Sequence, residues 1–390
     1  MQVHVAVHDQ GVTAKFLILS AGVGGGHDGV AQEMARQLRA RGIESSVVDF
    51  LRIVPGGLGH LVRWGHLAQM RLAPGLYGWM YQRTNASAKS VLFTRLLLSI
   101  ARRRLRRLVA DFDAVIATYP IAGQALGDLR SMGNLPQPCG VWVTDFSVHR
   151  LWVAPEVDLH MVIHAVSAEQ VRHTSLDANV LIGGPLVRTA FAQSSVAQSR
   201  DRYRALWEVA PDDLLVMMTM GAWGTGTLTK TVSRLMLEPG ITPVVACGRN
   251  RRLARQLRRM TQDQAGRAVV LDWIDDMSRI FAACDVVVQN AGGLMAMEAA
   301  AMGLPLFSAQ CLPGHGTDNA QLMHDAGIAW VCHSDDELLD ALKRGGFTDP
   351  QRSAELFDND PVSLLVESFA QLSERLISLL RAGDGAQPTA

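Results

Sequence analysis

A strand, a glycine-rich loop and a helix follow one another twice in this chain, and the two copies begin about two hundred residues apart. The first copy has an apolar strand at 15–20 and the loop Ala-Gly-Val-Gly-Gly-Gly-His at 21–27. The second has a strand at 214–220 and the loop Gly-Ala-Trp-Gly-Thr-Gly at 221–226. Short apolar strands that enter helices through glycine loops are typical of parallel sheets. The repeat therefore predicts two domains that begin with the same unit.

Further apolar runs continue the alternation of strand and helix through both halves. We predict additional strands at 45–49, 114–118, 140–144, 159–163, 242–247, 268–271, 285–289 and 304–308. This alternation favours doubly wound sheets with helices on both faces. The predicted fold class is therefore α/β, with two Rossmann-like domains, which a length of 390 residues allows.

Composition places the domain boundaries. Residues 192–213 are polar and are predicted to be a linker between a first domain at 1–191 and a second at 214–360. Residues 361–381 are predicted to form a helix that packs back on the first domain. The last residues, 382–390, have the composition of a disordered tail.

The charge of the chain is unevenly distributed although the net charge is zero. Residues 1–200 contain 20 Lys and Arg against 13 Asp and Glu, and the remainder contains 17 against 24. Such asymmetry suggests that the first half meets an anionic partner, for which a phospholipid surface and nucleic acid are candidates. The alternative is that two domains of opposite charge attract each other across a cleft.

Five cysteines occur without C-x-x-C spacing, which favours buried thiols in a reducing cytoplasm. No apolar run approaches the roughly 18 residues of a membrane-spanning helix. We therefore expect a cytoplasmic protein, at most peripheral on the inner face of the cell membrane.

Residues 51–107 depart from the alternation of strand and helix. They interleave aromatic residues and leucines with arginines, as an interfacial helix does at an anionic lipid surface. The alternative is an ordinary helix pair with a solvated basic face. The predicted membrane-facing residues are Arg102, Arg103, Arg104, Arg106 and Arg107.

The glycine loops indicate an anion site, because backbone N–H groups at a helix N-terminus attract phosphate. The first loop does not fit the dinucleotide pattern, since His27 stands where a third glycine is required. The second does not fit a P-loop, since Thr227 follows Gly226. The helix dipole disfavours a protonated His27, so this residue is either a neutral general base or a polar residue that satisfies backbone groups.

Residues 289–299 indicate a particular ligand more specifically than the glycine loops do. A predicted strand ends at Gln289, and Gly292 and Gly293 open a helix that carries Glu298. The glycine amides can hold a diphosphate, and a carboxylate at position 298 can accept hydrogen bonds from both hydroxyls of a ribose. The alternative is that Glu298 is a solvated helix residue.

Four motifs together resemble glycosyltransferase family 28, and most closely its monogalactosyldiacylglycerol synthase branch. They appear in family order and span most of the chain. They are Gly24-Gly25-Gly26-His27, Thr144-Asp145-Phe146 with His149 and Trp152, Cys247-Gly248-Arg249-Asn250, and Asn290-Ala291-Gly292-Gly293 with Glu298 and the segment 313–320.

The resemblance implies the GT-B fold and an inverting, metal-independent transfer of a hexose from a UDP-sugar to a lipid such as diacylglycerol. The first domain would bind the acceptor, with His27 as base and with Asp145 and His149 assisting. The loop residues Gly24, Gly25 and Gly26 would approach acceptor or phosphate. The donor residues implied are Gly221, Gly224, Arg249, Ile274, Asn290, Gly292, Gly293, Glu298, Asp318 and Asn319.

The expected partners are a UDP-sugar as co-substrate, a lipid acceptor and an anionic membrane surface, without nucleic acid and without another cofactor. No metal is expected, because the pairs Asp111/Asp113 and Asp358/Asp360 lack the strand context of a metal-binding D-x-D. The alternatives are a transferase for a soluble aglycone, a UDP-sugar 2-epimerase and a non-catalytic binding module.

Overall fold

The computed structural model describes residues 13–86, 92–193, 196–221, 229–262, 267–290, 292–345 and 350–384. Within these ranges the strands form two six-stranded parallel sheets. The first sheet has the order β2-β1-β3-β4-β5-β6. Its strands are β1 Lys15–Ser20, β2 Glu44–Asp49, β3 Ala114–Ala117, β4 Cys139–Trp142, β5 Leu159–Val162 and β6 Val180–Ile182.

Helices cover both faces of the first sheet, as parallel sheets require. A short 3-10 helix, Arg150–Trp152, follows β4. The helices in this part of the chain are α1 Gly25–Ala40, α2 Phe50–Ile53, α3 Leu58–Leu72, α4 Pro74–Ala86, α5 Leu92–Val109, α6 Pro120–Ser131, α7 Ala165–Thr174, α8 Thr189–Gln193 and α9 Val196–Leu206.

The second sheet has the order β12-β11-β10-β7-β8-β9, the doubly wound dinucleotide-binding order. Its strands are β7 Leu214–Thr219, β8 Ile241–Ala246, β9 Val269–Leu271, β10 Val286–Gln289, β11 Leu306–Ala309 and β12 Trp330–Cys332. Its helices are α10 Thr229–Met236, α11 Arg251–Thr261, α12 Met277–Ala283, α13 Leu294–Ala301, α14 His315–Asp325, α15 Asp335–Arg344 and α16 Pro350–Glu355.

Alternating side chains of β1 explain why residues 16–19 of this strand are all apolar. Phe16 and Ile18 belong to the core on one face of the sheet, while Leu17 and Leu19 belong to the core on the other. Side chains one residue apart point to opposite faces, and both faces are covered. Burial on two sides therefore holds the strand in place.

Each sheet has one point where its strand order reverses, and ligands of such sheets bind there, beyond the carboxyl ends of the strands. In the first sheet the point lies between β1 and β3, which lead into His27 and Tyr119. In the second it lies between β7 and β10, which lead into Gly221 and Gly292. The topology thus brings both glycine-bearing segments to ligand-binding ends of their sheets.

The chain returns to the first sheet at its C-terminal end. Two helices, α17 Pro361–Gln371 and α18 Glu374–Asp384, stand where the sequence predicts a single helical segment. The Phe369 ring stacks on Phe16 at a centroid distance of 6.2 Å. Arg375 Nη2 lies 3.0 Å from Asp113 Oδ1 and ties α18 to the first domain.

The segment predicted as a linker contains helix α9, which packs on α12 of the second domain. Arg204 Nη2 lies 2.7 Å from Asp285 Oδ2, at the start of β10. Residues 51–107 also differ from a single interfacial helix, since their described part contains helices α2 to α5.

Candidate active site

A cavity of about 940 Å³ lies between the two domains at the carboxyl ends of both sheets. Many of the residues predicted from the sequence line it together. They are Gly24, Gly25, Gly26, His27, Asp145, His149, Gly221, Ile274, Gly292, Gly293 and Glu298.

The two domains meet closely where α1 faces α13. A Cβ atom at Gly29 would lie 2.4 Å from Leu294 Cδ2, a distance that real Cβ contacts do not show. A side chain at position 29 would have to displace the end of Leu294. The close approach of α1 and α13 brings the N-termini of the two helices to opposite walls of the cavity.

His27 stands in the first turn of α1 and faces the cavity. Its Nδ1 atom lies 3.1 Å from Thr144 Oγ1, and its backbone oxygen accepts a hydrogen bond from Thr118. The rings of Tyr119 and Trp152 lie 5.5 and 5.6 Å from its own. Burial lowers the pKa of His27, against the opposing field of Asp145. The imidazole is therefore neutral at neutral pH, as a general base must be.

His149 also lines the cavity, but both of its nitrogens are occupied. Nδ1 accepts the backbone N–H of Leu151, and Nε2 lies 3.1 Å from both the Tyr81 carbonyl and Thr84 Oγ1. An Nε2–H that donates to α4 leaves no free lone pair for a substrate proton. In this arrangement His149 positions α4 rather than moving a proton.

Glu298 has a partner that the sequence does not predict. Its side chain is almost wholly buried, and its Oε1 atom lies 2.8 Å from Arg188 Nε of the first domain. Burial raises the pKa of Glu298, and Arg188 opposes this shift. Among the described lining residues, Arg188 is the only lysine or arginine. It follows the glycine pair at 183–184 after edge strand β6, which is a weak sequence signal.

The predicted phosphate and base contacts lie on the second-domain wall. The Gly292 N–H donates to the Gln289 side chain, so this amide is already engaged. The Arg249 guanidinium lies 4.3 Å from the centroid of the Trp273 ring, and Trp273 lines the cavity beside Ile274. Gly224 lies outside the described residues.

Four predicted donor residues within the described ranges do not line the cavity: Arg249, Asn290, Asp318 and Asn319. Asn319 is fully buried, and its Oδ1 atom accepts the backbone N–H of Ser147 at 2.7 Å. This hydrogen bond joins the two domains. Asp318 is half-buried in the first turn of α14.

Helix α4 forms a second junction between the domains. The Tyr77 hydroxyl lies 2.8 Å from His315 Nδ1. A Cβ at Gly78 would lie 2.5 Å from Pro313 Cβ, and a Cβ at Gly314 would lie 2.9 Å from Tyr81 Cβ. The acceptor-side helix and the 312–315 loop thus form one packed unit.

The outer surface of α3 and α4 carries large exposed apolar side chains. Trp64 is 61% exposed and Trp79 is 58% exposed. We call the patch made by Leu61, Trp64, Leu72, Leu76, Trp79 and Met80 the apolar surface. Two of its members, Leu61 and Met80, also line the cavity, so the apolar surface continues into it.

The arginines of α5 lie outside the cavity. Arg102 pairs with Asp128 at 2.9 Å, and Arg104 donates to the Ile53 carbonyl. Arg103, Arg106 and Arg107 are exposed. Arg104 is exposed as well, so of these five arginines only Arg102 is both half-buried and paired with a carboxylate.

In the part of the chain that the structure describes, no group of three or more His, Cys, Asp or Glu side chains is placed to hold a metal ion. Across the same described ranges, no helix combines the length and apolarity needed to cross a membrane.

Comparison with known sequences identifies relatives. The model of the monogalactosyldiacylglycerol (MGDG) synthase family matches residues 27–183. A processive diacylglycerol beta-glucosyltransferase of Bacillus cereus (strain G9842) is 25% identical over 334 residues, covering 83% of this chain and 84% of the relative. The protein of the same name from Bacillus pumilus (strain SAFR-032) is 23% identical over 333 residues, covering 84% and 85%.

Solved structures resemble the whole chain. HepE of Anabaena in complex with UDP-glucose superposes with a TM-score of 0.53 at 13% identity, covering 94% of this chain and 99% of that one. MurG of Acinetobacter baumannii gives 0.51 at 16% identity, covering 96% of both chains. With the two parallel sheets, these likenesses confirm the predicted α/β fold of the GT-B type.

Proposed function

We propose that this chain, which is a monogalactosyldiacylglycerol synthase-like glycosyltransferase of family 28, transfers a hexose from a UDP-sugar to the free hydroxyl of diacylglycerol. The observation that carries the proposal is the single cavity that joins His27 on one wall to Glu298 on the other. A base for the acceptor and a ribose ligand for the donor thus share one space.

The apolar lining supports a lipid acceptor. Leu61 and Met80 belong both to the apolar surface and to the cavity wall, and Val62 and Met70 continue the apolar lining inward. Acyl chains can keep contact with apolar groups along this path while the hydroxyl reaches His27. A soluble aglycone needs no such continuity.

The proposed reaction is a single displacement with inversion. His27 takes the proton of the acceptor hydroxyl as its oxygen bonds to the anomeric carbon. The bond from that carbon to the β-phosphate oxygen breaks, and the electron pair leaves on UDP. Fixed cations and dipoles stabilise such developing charge when they are already in place. Arg188 is the lining cation in the described residues, and we assign it to the diphosphate.

The test is mass spectrometry of vesicles that contain diacylglycerol after incubation with UDP-glucose, UDP-galactose or UDP-N-acetylglucosamine. We expect a hexosyl diacylglycerol and an equal amount of UDP from one of the donors. Conversion of the donor to its epimer without UDP release would identify an epimerase instead. Transfer to a soluble aglycone but not to the lipid would contradict the acceptor assignment.

A second arm of this assay adds excess EDTA. Activity should be unchanged if Arg188 and the helix N-termini balance the charge of the departing UDP. Loss of turnover that Mn²⁺ restores would contradict the metal-independent part of the proposal.

We further propose that the apolar surface docks on an anionic membrane, with Arg103, Arg106 and Arg107 adding attraction. Changing Trp64 and Trp79 to Ser should weaken vesicle binding at every salt concentration, since each buried large side chain contributes about 1.5–3 kcal/mol. Changing the three arginines to Gln should weaken binding only at low salt, by about 1 kcal/mol each.

Vesicle flotation with phosphatidylglycerol measures both effects. Leu176→Ser is the matched control, because Leu176 is exposed on the turn between α7 and β6, away from this surface. If the tryptophan variant binds vesicles as wild type does, the docking surface lies elsewhere.

A further inference from the structure

A histidine can act as a base only through a nitrogen that carries no proton. The Nδ1 atom of His27 faces Thr144 Oγ1 at 3.1 Å. Within the described residues His27 Nε2 makes no hydrogen bond, and His27 lines the cavity. The nitrogen available to a substrate is therefore Nε2, and its lone pair is free only if the ring proton resides on Nδ1.

We propose that Thr144 is a positioning residue that accepts a hydrogen bond from His27 Nδ1–H and so keeps the Nε2 lone pair directed at the acceptor hydroxyl. The inference rests on the proposed function for its catalytic meaning. The proton on a histidine ring is fixed by the hydrogen bond that the other nitrogen makes.

The surroundings of Thr144 suit this role. Thr144 is buried two residues after β4, so its hydroxyl is held by the sheet rather than by a mobile loop. The Thr118 hydroxyl fixes the backbone of His27 from the neighbouring strand end, and Tyr119 and Trp152 flank the ring. The ring thus has little freedom to turn, and the choice of tautomer decides which chemistry it can perform.

Several ionisable groups surround His27 and remain unchanged when Thr144 is altered. They come from four elements besides α1 itself. They are Asp28 on α1, Asp145 after β4, His66 on α3, Tyr119 before α6 and His315 on α14. A shift of the pH profile on mutation of Thr144 alone is therefore attributable to the lost hydroxyl.

The experiment compares Thr144→Val, which removes the hydroxyl, with Thr144→Ser, which retains it. We expect Thr144→Val to lower kcat about tenfold, the effect of one lost hydrogen bond. The KM for the UDP-sugar should stay within about twofold, because Thr144 lies on the acceptor wall. Thr144→Ser should restore most of the rate.

The pH profile separates positioning from packing. A hydroxyl acceptor stabilises the charged imidazolium more than the neutral ring, because charge-assisted hydrogen bonds are stronger. Its removal should therefore lower the pKa of His27 and move the acid limb of kcat/KM to lower pH. If Thr144→Val leaves both the acid limb of kcat/KM and the rate unchanged, the proposal is overturned.

Nitrogen-15 spectra of the histidine rings test the tautomer without any turnover, with the His27 signal assigned by its loss in His27→Gln. A proton on Nδ1 in the wild type, lost or mixed in Thr144→Val, is the expected result. A proton on Nε2 in the wild type would overturn the proposal even if the enzyme is active. If the wild type fails to glycosylate diacylglycerol while Nδ1–H is observed, the proposed function fails and the tautomer assignment stands.

Discussion

His27→Ala should lower the rate of sugar transfer by about 10²–10⁴-fold, the usual contribution of a general base. The affinity for UDP should not change, because the proposed UDP contacts lie on the second domain and in Arg188. Calorimetry with UDP and a radiolabelled transfer assay measure the two quantities. In the wild type the rate should fall as pH drops through the pKa of His27, which burial holds below its ordinary value. His27→Ala should not show this fall in rate at acid pH.

His66→Gln is the matched control for this variant. His66 lines the same cavity, and burial lowers its pKa to about 4, so it is also neutral. The His66 ring lies beside the Tyr77 ring, and we do not assign His66 to the acceptor hydroxyl. We therefore expect His66→Gln to change the rate of sugar transfer only a few-fold. Collapse of UDP affinity in His27→Ala would show that His27 is a phosphate ligand. An unchanged rate would move the role of base to Asp145.

Arg188→Gln should weaken both donor binding and folding. Each lost hydrogen bond to a charged group contributes about 1.5–3 kcal/mol, so UDP affinity should fall tenfold to more than a hundredfold. The same change leaves the Glu298 carboxylate buried without its ion-pair partner. Because Arg188 is itself partly exposed, we expect a loss of only about 1–2 kcal/mol in unfolding free energy.

The loss of stability should depend on pH. Burial raises the pKa of Glu298, and removal of Arg188 raises it further. A carboxyl group whose pKa is raised by folding stabilises the protein fully below its unfolded pKa, and this contribution is lost as pH rises through the folded pKa. The difference in Tm between Arg188→Gln and wild type should therefore be small in acid and should grow towards neutral pH.

The double variant Arg188→Gln with Glu298→Gln separates the two effects. It contains no buried charge at position 298, so its stability should recover relative to Arg188→Gln and should vary little with pH. Its UDP affinity should remain low, because both proposed donor contacts are changed. Wild-type UDP affinity in Arg188→Gln would show that this arginine serves only the domain junction.

Most strands could be predicted from apolar runs in the sequence, including the edge strands β2 and β9, whereas the edge strands β6 and β12 are not predicted. The predicted first strand and β1 have the same bounds, because residues 16–19 form an unbroken apolar run between Lys15 and Ser20. Strands β6 and β12 have only three residues each and are partly exposed. Their apolar runs, at 180–182 and 328–332, are too short for the sequence alone to distinguish a strand from a buried helix segment. The positions of these two strands are set by the neighbouring strands rather than by local composition.

The residues of the cavity, like the strands, could be predicted only in part from the sequence. His27 and Glu298 each belong to a strand–glycine loop–helix motif, so local sequence indicates them. Arg188 enters the cavity because the first domain ends against α13, and no local pattern specifies that approach. Asn319 stands in a motif that implies a sugar contact, yet packing between the domains directs its amide oxygen to Ser147.

The close packing of α4 on the 312–315 loop limits how this enzyme can be recombined with its relatives. A hybrid with the first domain of one parent and the second domain of another would place a foreign loop against Gly78, where even a β-carbon collides with Pro313. It would also separate Tyr77 from His315. Crossover points chosen at the domain boundary would therefore yield poorly joined hybrids. Donor preference should be exchangeable only when residues 74–86 and 312–315 are inherited together from one parent.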